Sequence, residues 1–260
     1  MHQSNAAHIR HLRVLHALIV REMITRYGRS ALGYVWAVLE PAGVILLLTL
    51  LFEQIAHAPP YGKSFALFYA TGYLGFHWVL DISNVCSRSI HVNRPLLSFP
   101  SVTALDTILA RFILQLLTAI AVAGLILGVI FIASGEPFRP RAPDLLLAFT
   151  LAALLGLGIG SVNAWAFAIS RGWEVAWGVI SRPLLLVSCV FYSFESLPRE
   201  AQDVLWFNPV VHVVGLLRGG VYPVYDGGHL VPLFPFAVAL SLIVIGLVSL
   251  RMARARIVLP

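Results

Sequence analysis

Charge is what this sequence has least of. Asp, Glu, Lys and Arg make up 12% of its 260 residues, about half the roughly 25% of an ordinary soluble domain. With 59% hydrophobic residues and a mean hydropathy of +0.86, the chain could fill a large core but could not cover it with polar surface. That disfavours a soluble globular protein and a disordered chain. Cysteine is nearly absent as well: Cys86 and Cys189 cannot make a disulfide scaffold, lack metal-like spacing, and read as two buried, unpaired thiols. Lysine is rarer still, since Lys63 stands against 17 arginines.

Two apparent motifs fall away on inspection. Gly62-Lys63-Ser64 invites a phosphate-loop reading, but His57 stands where that loop needs its first Gly, and Ala58-Pro59-Pro60 replaces the preceding strand. No nucleotide-binding domain is expected within the chain. The nine histidines form no His-Glu-x-x-His pattern, and His2, His8, His11 and His16 share their stretch with a single carboxylate, Glu22, so no metal site is expected. No catalytic triad can be read from spacing either. A net charge of +6 could mean nucleic acid, but the basic residues cluster beside apolar runs. Orientation in a membrane explains them better, and no nucleic-acid partner is expected.

What is present is apolar length. A spanning helix needs about 20 mostly apolar residues. Ser30 to Phe52 carries only Glu40, Ser64 to Leu80 no charge, Phe112 to Gly135 none, Leu145 to Ser170 none, Val175 to Phe194 only Arg182, and Gly227 to Leu250 none. Runs of that length exclude a membrane barrel. The reading is an all-α integral membrane protein, one permease-like domain over 1–260, with six transmembrane helices at about 30–55, 64–84, 108–133, 144–170, 175–195 and 229–250. With both termini inside, 13 basic residues fall in inner segments and five in outer ones, which favours a cytoplasmic amino terminus. The first 13 residues lead into no signal-peptide pattern, so the first span is expected to serve as the insertion signal.

Three further segments stand out. Residues 12–29 read as an amphipathic interfacial helix, with Leu15, Leu18, Ile19 and Met23 on one face. Glu22 intrudes on that face, so something other than lipid should cover it. Cys86 to Arg111 is a polar connection broken by Pro95 and Pro100. Between the last two spans, about 197–220, two apolar stretches are each too short to cross. Asn208-Pro209 starts the second, with Asn as N-cap and Pro in the first turn, and Gly219-Gly220 is expected to stop it. That pattern suggests a re-entrant helical hairpin on the outer side; a surface loop lying on the membrane is the alternative.

Charges inside apolar runs mark places to examine. Glu40 precedes Pro41 in the first span, where a transport role and a satisfied packing carboxyl are both open. Arg182 precedes Pro183 in the fifth, where snorkelling is the plainer reading. Gly156, Gly158 and Gly160, and Gly124 and Gly128, permit close helix packing. Tyr34, Trp36, Phe191, Tyr192 and Phe194 fit an interfacial aromatic belt, while their faces could also stack on sugar rings.

The stretch Val20-Arg21-Glu22-Met23-Ile24-Thr25-Arg26-Tyr27-Gly28-Arg29, continuing through Leu32-Gly33-Tyr34-Val35-Trp36-Ala37-Val38-Leu39-Glu40-Pro41, resembles the start of type-2 ABC transporter permeases that export polysaccharide. Asp106-Thr107-Ile108-Leu109-Ala110-Arg111 is similar to the family's entry into the third span. Leu205-Trp206-Phe207-Asn208-Pro209-Val210-Val211-His212-Val213-Val214 is similar to its periplasmic re-entrant segment. The likeness is nearer to capsular polysaccharide export permeases than to O-antigen ones. It implies an inner-membrane homodimer bound to two copies of a separate ATP-binding subunit, which would hold the ATP and Mg; no cofactor is implied for this chain. It implies a lipid-linked polysaccharide as cargo, and periplasmic adaptor and outer-membrane export partners. Arg21, Glu22, Arg26, Tyr27, Arg29 and Arg94 would face the ATPase. Tyr34, Trp36, Glu40, Arg182, Phe191, Tyr192 and Phe194 would line the path, and Trp206, Asn208, Pro209, His212 and Arg218 would form the re-entrant segment. The resemblance also implies an acidic residue where this chain has Gly215, so Arg218 needs another partner or faces glycan. An exporter of O-antigen, another polymer or a drug, a membrane-embedded acyl- or glycosyltransferase, and a self-contained channel are the competing readings.

Overall fold

A computed structural model describes residues 2–27, 32–99, 102–135 and 140–253. Side chains are described from residue 13 onward, apart from those of Tyr27, Leu32 and Tyr34. Arg29 lies outside the described residues, as do the side chains of Tyr27 and Tyr34. The described residues are helical, with no strand among them: α1 (His2–Tyr27), α2 (Leu32–Glu53), α3 (Phe65–Ser87), α4 (Ser89–Asn93), α5 (Ala104–Ser134), α6 (Ala142–Ile169), α7 (Arg171–Ile180), α8 (Arg199–Leu205), α9 (Pro209–Val221) and α10 (Leu233–Met252).

Four helices are long and apolar enough to cross a membrane: Val35–Glu53 of α2, then α5, α6 and α10. A fifth is reached if α8 and α9, which meet at 104°, are taken as one broken span. The segment expected as the second span is α3, of 23 residues. It falls short in apolarity because Tyr73, His77, Asp81 and Asn84 interrupt it, and most of its residues are buried against neighbouring helices.

The fifth span corrects the sequence reading. Residues 175–195 are not one helix. α7 ends at Ile180, a 3-10 helix runs over Pro183–Ser188, and Cys189 turns into the left-handed region at φ 57. Pro183 has no N–H to continue an α-helix, so an apolar run of spanning length is divided at Arg182. The amino-terminal helix also differs: it begins at His2, well before residue 12.

α6 is the axis of the bundle, and its glycines show why. A Cβ at Gly156 would lie 2.7 Å from the Ile82 Cβ, and one at Gly160 2.5 Å from the Cys86 Cβ, both on α3. A Cβ at Gly158, on the opposite side, would meet the Ala239 carbonyl of α10 at 2.9 Å. Backbones approach this closely only where side chains are missing. Gly124 and Gly128, at the same spacing in α5, behave otherwise: nothing lies within 4 Å of either missing Cβ, so they floor an open apolar groove and pack no helix.

α5 starts where the chain gives it a cap. Asp106 Oδ2 accepts from the Thr103 N–H at 2.9 Å while Thr103 Oγ1 accepts from the Asp106 N–H at 3.2 Å, a reciprocal pair that satisfies two orphan donors. At α9 the Asn208 side chain accepts from Val210 N–H at 3.0 Å with Pro209 in the first turn. Gly219-Gly220 does not stop this helix, which runs on to Val221. Their smallness serves packing instead, since a Cβ at Gly220 would strike the Leu145 Cδ2 at 2.5 Å.

Candidate functional site

An open groove lies on the bundle where residues 175–195, the expected fifth span, are broken. A cavity of about 390 Å³ is lined by Glu40 of α2, by Tyr73, Phe76, His77, Leu80, Asp81 and Asn84 of α3, and by Ser181, Arg182 and Leu185 at the break. Exposed Glu40 and Arg182 and half-buried Asp81 open onto it, and charges within apolar runs of this kind usually face protein or a water-filled path. Glu40 and Arg182, singled out from sequence, are therefore brought together in one groove. His77 Nε2 lies 4.0 Å from Asp81 Oδ2, so the groove mixes carboxylates, a guanidinium, an imidazole, an amide and aromatic faces. Such a set suits a polar, hydroxyl-rich ligand: carboxylates accept from hydroxyls, Arg and Asn donate, and rings offer apolar faces.

The other expected path residues lie elsewhere. Trp36 is 64% exposed on the outside of α2. Phe191 stacks near Phe52 with centroids 6.3 Å apart, Tyr192 Oη donates to the Leu186 carbonyl at 2.6 Å, and Phe194 stacks on His229 at 4.0 Å. These three aromatics hold the chain beyond the break and do not line the groove.

Sequence reasoning missed Tyr73, His77, Asp81 and Asn84, although a signal was there. Spacings of four, four and three put them on one face of a helix, a polar stripe within an apolar span.

The groove is connected to α1. Gln115 Nε2 donates to Asp81 Oδ2, and the amide oxygen of Gln115 accepts from Arg26 Nη1. One neutral side chain thus bridges the guanidinium of α1 and the carboxylate of the groove. Nearby, Glu22, 5% exposed, accepts from Arg111 Nε at 2.7 Å, and Arg111 Nη1 donates to the Val85 carbonyl at 3.1 Å. This is the cover that Glu22 required on its apolar face. Arg21 Nη1 donates to Asn93 Oδ1 at 2.6 Å. Arg21, Glu22 and Arg26, expected to face a partner, are therefore engaged within the chain, docking α1 on α4 and α5. Arg94 is exposed.

At the opposite end, the hairpin residues fasten the broken span. Asn208 Nδ2 donates to the Val187 carbonyl at 3.0 Å and to Ser188 Oγ at 3.1 Å. Arg218, 1% exposed, donates to the Tyr192 carbonyl at 2.9 Å and the Val190 carbonyl at 3.1 Å, and lies 4.2 Å over the Phe68 ring. Its partners are thus carbonyls on the far side of the Cys189 reversal and an aromatic face. His212 accepts from Val231 N–H at Nδ1 (3.3 Å), so Nε2 carries the proton it donates to the Trp206 carbonyl at 2.9 Å. Trp206 Nε1 donates to the His229 carbonyl at 3.0 Å.

A carboxylate latch closes this end. Tyr61 Oη donates to Glu195 Oε2 at 2.8 Å, and His229 Nδ1 lies 3.3 Å from Glu195 Oε1. Burial alone would push the Glu195 carboxyl up. The bonds from His229, its own backbone N–H and Tyr61, with the charge of His229, outweigh that and hold it below its ordinary value. Burial, reinforced by Glu195, pushes the Tyr61 hydroxyl up to about 12.

Residues 13–222 match the family described as ABC-2 type transporter. Among similar proteins, the polysialic acid transport protein KpsM of Escherichia coli is 34% identical over 210 residues, covering 80% of this chain and 81% of that one. The capsule polysaccharide export inner-membrane protein CtrC of Neisseria meningitidis serogroup A is 30% identical over 210 residues, covering 81% and 79%. The capsule polysaccharide export inner-membrane protein BexB of Haemophilus influenzae is 30% identical over 215 residues, with the same coverage.

Proposed function

The chain belongs to the ABC-2 type transporter family, and on that premise we propose that it is the membrane permease of an ATP-driven exporter of capsular polysaccharide. The observation that carries this reading is the groove of Glu40, Asp81 and Arg182 at the break of the fifth span. It is a polar surface on an apolar bundle, where hydroxyl-rich cargo finds hydrogen-bond partners. The cargo class follows from the relatives, whose names specify polysialic acid or capsule polysaccharide.

The permease sits in the inner membrane with both termini cytoplasmic, as a homodimer carrying two copies of an ATP-binding subunit that holds ATP and Mg. Exposed Trp36, Leu39, Val179 and Leu186 flank the groove elements, which supports a second copy facing it and closing a shared path for a lipid-linked chain. Periplasmic adaptor and outer-membrane proteins take over beyond it. ATP-driven closure of the partner subunits moves α1, and the bridge of Arg26, Gln115 and Asp81 passes that movement to the groove. A ligand or partner shifts such an equilibrium only through contacts that differ between the two states, and this bridge is such a contact.

Affinity purification from native membranes tests the subunit assignment: an ATPase should co-elute. Its absence, with glycosyl- or acyltransferase activity in the purified chain, would make the protein an enzyme instead. Glu40→Gln and Arg182→Gln should each lower surface capsule, whereas normal capsule with both would remove the groove from the path.

A further inference from the structure

A second pocket lies at the end of the bundle where α1 docks on α4. It measures about 190 Å³ and is lined by His91 and Arg94, by Ile90, by Phe167 to Ile169 at the end of α6, and by Arg171 at the start of α7. Among the described residues no carboxylate lines it. Among the described residues neither Arg94 nor Arg171 has an ion pair, and the nearby acid Glu174 is taken by Arg88 at 3.6 Å.

Two unpaired guanidinium groups sharing one pocket repel each other unless an anion joins them. Arginine suits phosphate because its planar fork donates two parallel bonds. The N–H groups opening α7, whose N-cap Ser170 makes no side-chain cap bond, point the same preference. The pocket volume is several times the roughly 30 Å³ of one water, enough for a phosphate and part of its substituent. The rest of the wall is apolar, with Ile169 50% exposed in it and Val92, next to His91 in the chain, 49% exposed. An acidic protein segment would gain nothing from that rim, while a lipid places its phosphate inward and its chains along it. Basic pockets between membrane helices hold anionic headgroups in this manner.

We propose that this pocket binds the headgroup phosphate of an acidic phospholipid, gripped by Arg94 and Arg171 with its acyl chains along Ile169. The site is separate from the groove and does not depend on the cargo assignment. The lipid supplies the counter-ion that the described residues lack, and it bridges α4, α6 and α7 where the fifth span begins.

Native mass spectrometry of the purified full chain tests this, with phosphatidylglycerol, phosphatidylcholine of the same acyl length, and inorganic phosphate as probes. The expected result is phosphatidylglycerol retained about tenfold over phosphatidylcholine, the scale of one charge-assisted hydrogen bond. That preference should fall to near unity in Arg94→Gln/Arg171→Gln, persist in Arg94→Lys/Arg171→Lys, and stay unchanged in Arg88→Gln. If the Gln pair does not fold, loss of preference on graded addition of salt to the wild type serves in its place. No preference in the wild type, or equal preference in the Gln pair, would overturn the proposal. So would full displacement of lipid by inorganic phosphate, which would make it a free-anion site. Loss of a co-purified ATPase subunit in the Gln pair with lipid retention intact would assign the arginines to that subunit and overturn it likewise.

Discussion

Replacing Gln115 by Leu should separate ATP hydrolysis from export. Gln115 makes two hydrogen bonds, each to a charged partner: the Asp81 carboxylate and the Arg26 guanidinium. Bonds to charged groups contribute about 1.5–3 kcal/mol each. Arg26 is exposed and the Asp81 side chain is 32% exposed, so solvent screening brings each to about 1 kcal/mol. The sum, about 2 kcal/mol, is roughly a thirtyfold change in the balance between linked and unlinked arrangements of α1 and the groove. In membranes carrying the permease and its ATP-binding subunit, Gln115→Leu should hydrolyse ATP within about twofold of wild type while export falls about tenfold or more. A rescue distinguishes linkage from packing. Gln115→Glu alone sets two carboxylates against each other and should export poorly. Gln115→Glu with Asp81→Asn restores both bonds with donor and acceptor exchanged at the groove, and should recover most of the activity. Normal export by Gln115→Leu, or a double variant no better than Gln115→Glu, would refute the linkage.

Other expectations follow from named contacts. Gly160→Val puts atoms where Cys86 Cβ and the Ser83 carbonyl already stand; it should cost about 3 kcal/mol or more by overpacking, seen as a lower melting temperature of the purified chain. Gly124→Val, at an open site, should change it little. Arg218→Met strands the Val190 and Tyr192 carbonyls at about 1–3 kcal/mol each, and should make the 189–194 segment susceptible to protease without altering protection of α1. Acid should loosen the Tyr61–Glu195 latch. The Glu195 carboxyl is held below its ordinary value, so its contribution is present above that ordinary value and disappears as pH falls through the lowered one. Hydrogen exchange of the 54–64 loop should rise on acidification below about pH 4.5 in wild type, and be already high at neutral pH in Glu195→Gln/Tyr61→Phe.

Local chemistry was legible in the sequence, and relations between distant segments mostly were not. The Asn208-Pro209 start could be read because a cap uses only its own neighbours, and the intrusion of Glu22 on an apolar face announced that something polar must cover it. The fifth span misled because a count of apolar residues is blind to continuity: Val175 to Phe194 has the length to cross, yet Pro183 denies it one helix. Gly124/Gly128 and Gly156/Gly160 have the same spacing and opposite roles, since small residues permit close packing without supplying a neighbour. The partners of Arg218 are backbone carbonyls, which every residue carries and no side-chain pattern marks. The groove is half legible: Glu40 and Arg182 are conspicuous as lone charges, whereas Tyr73, His77 and Asp81 emerge only as one face of a helix, which average hydropathy does not mark.

The central claim is that the groove at the break of the fifth span carries the polymer. Photoreactive residues placed at Ser181 in the groove and at Ile132 on the exposed side of α5, in vesicles exporting radiolabelled polysaccharide, test it directly. An ATP-dependent glycan adduct at position 181 and none at 132 is the predicted result. Equal labelling at both positions, or none at 181 while export proceeds, would contradict it.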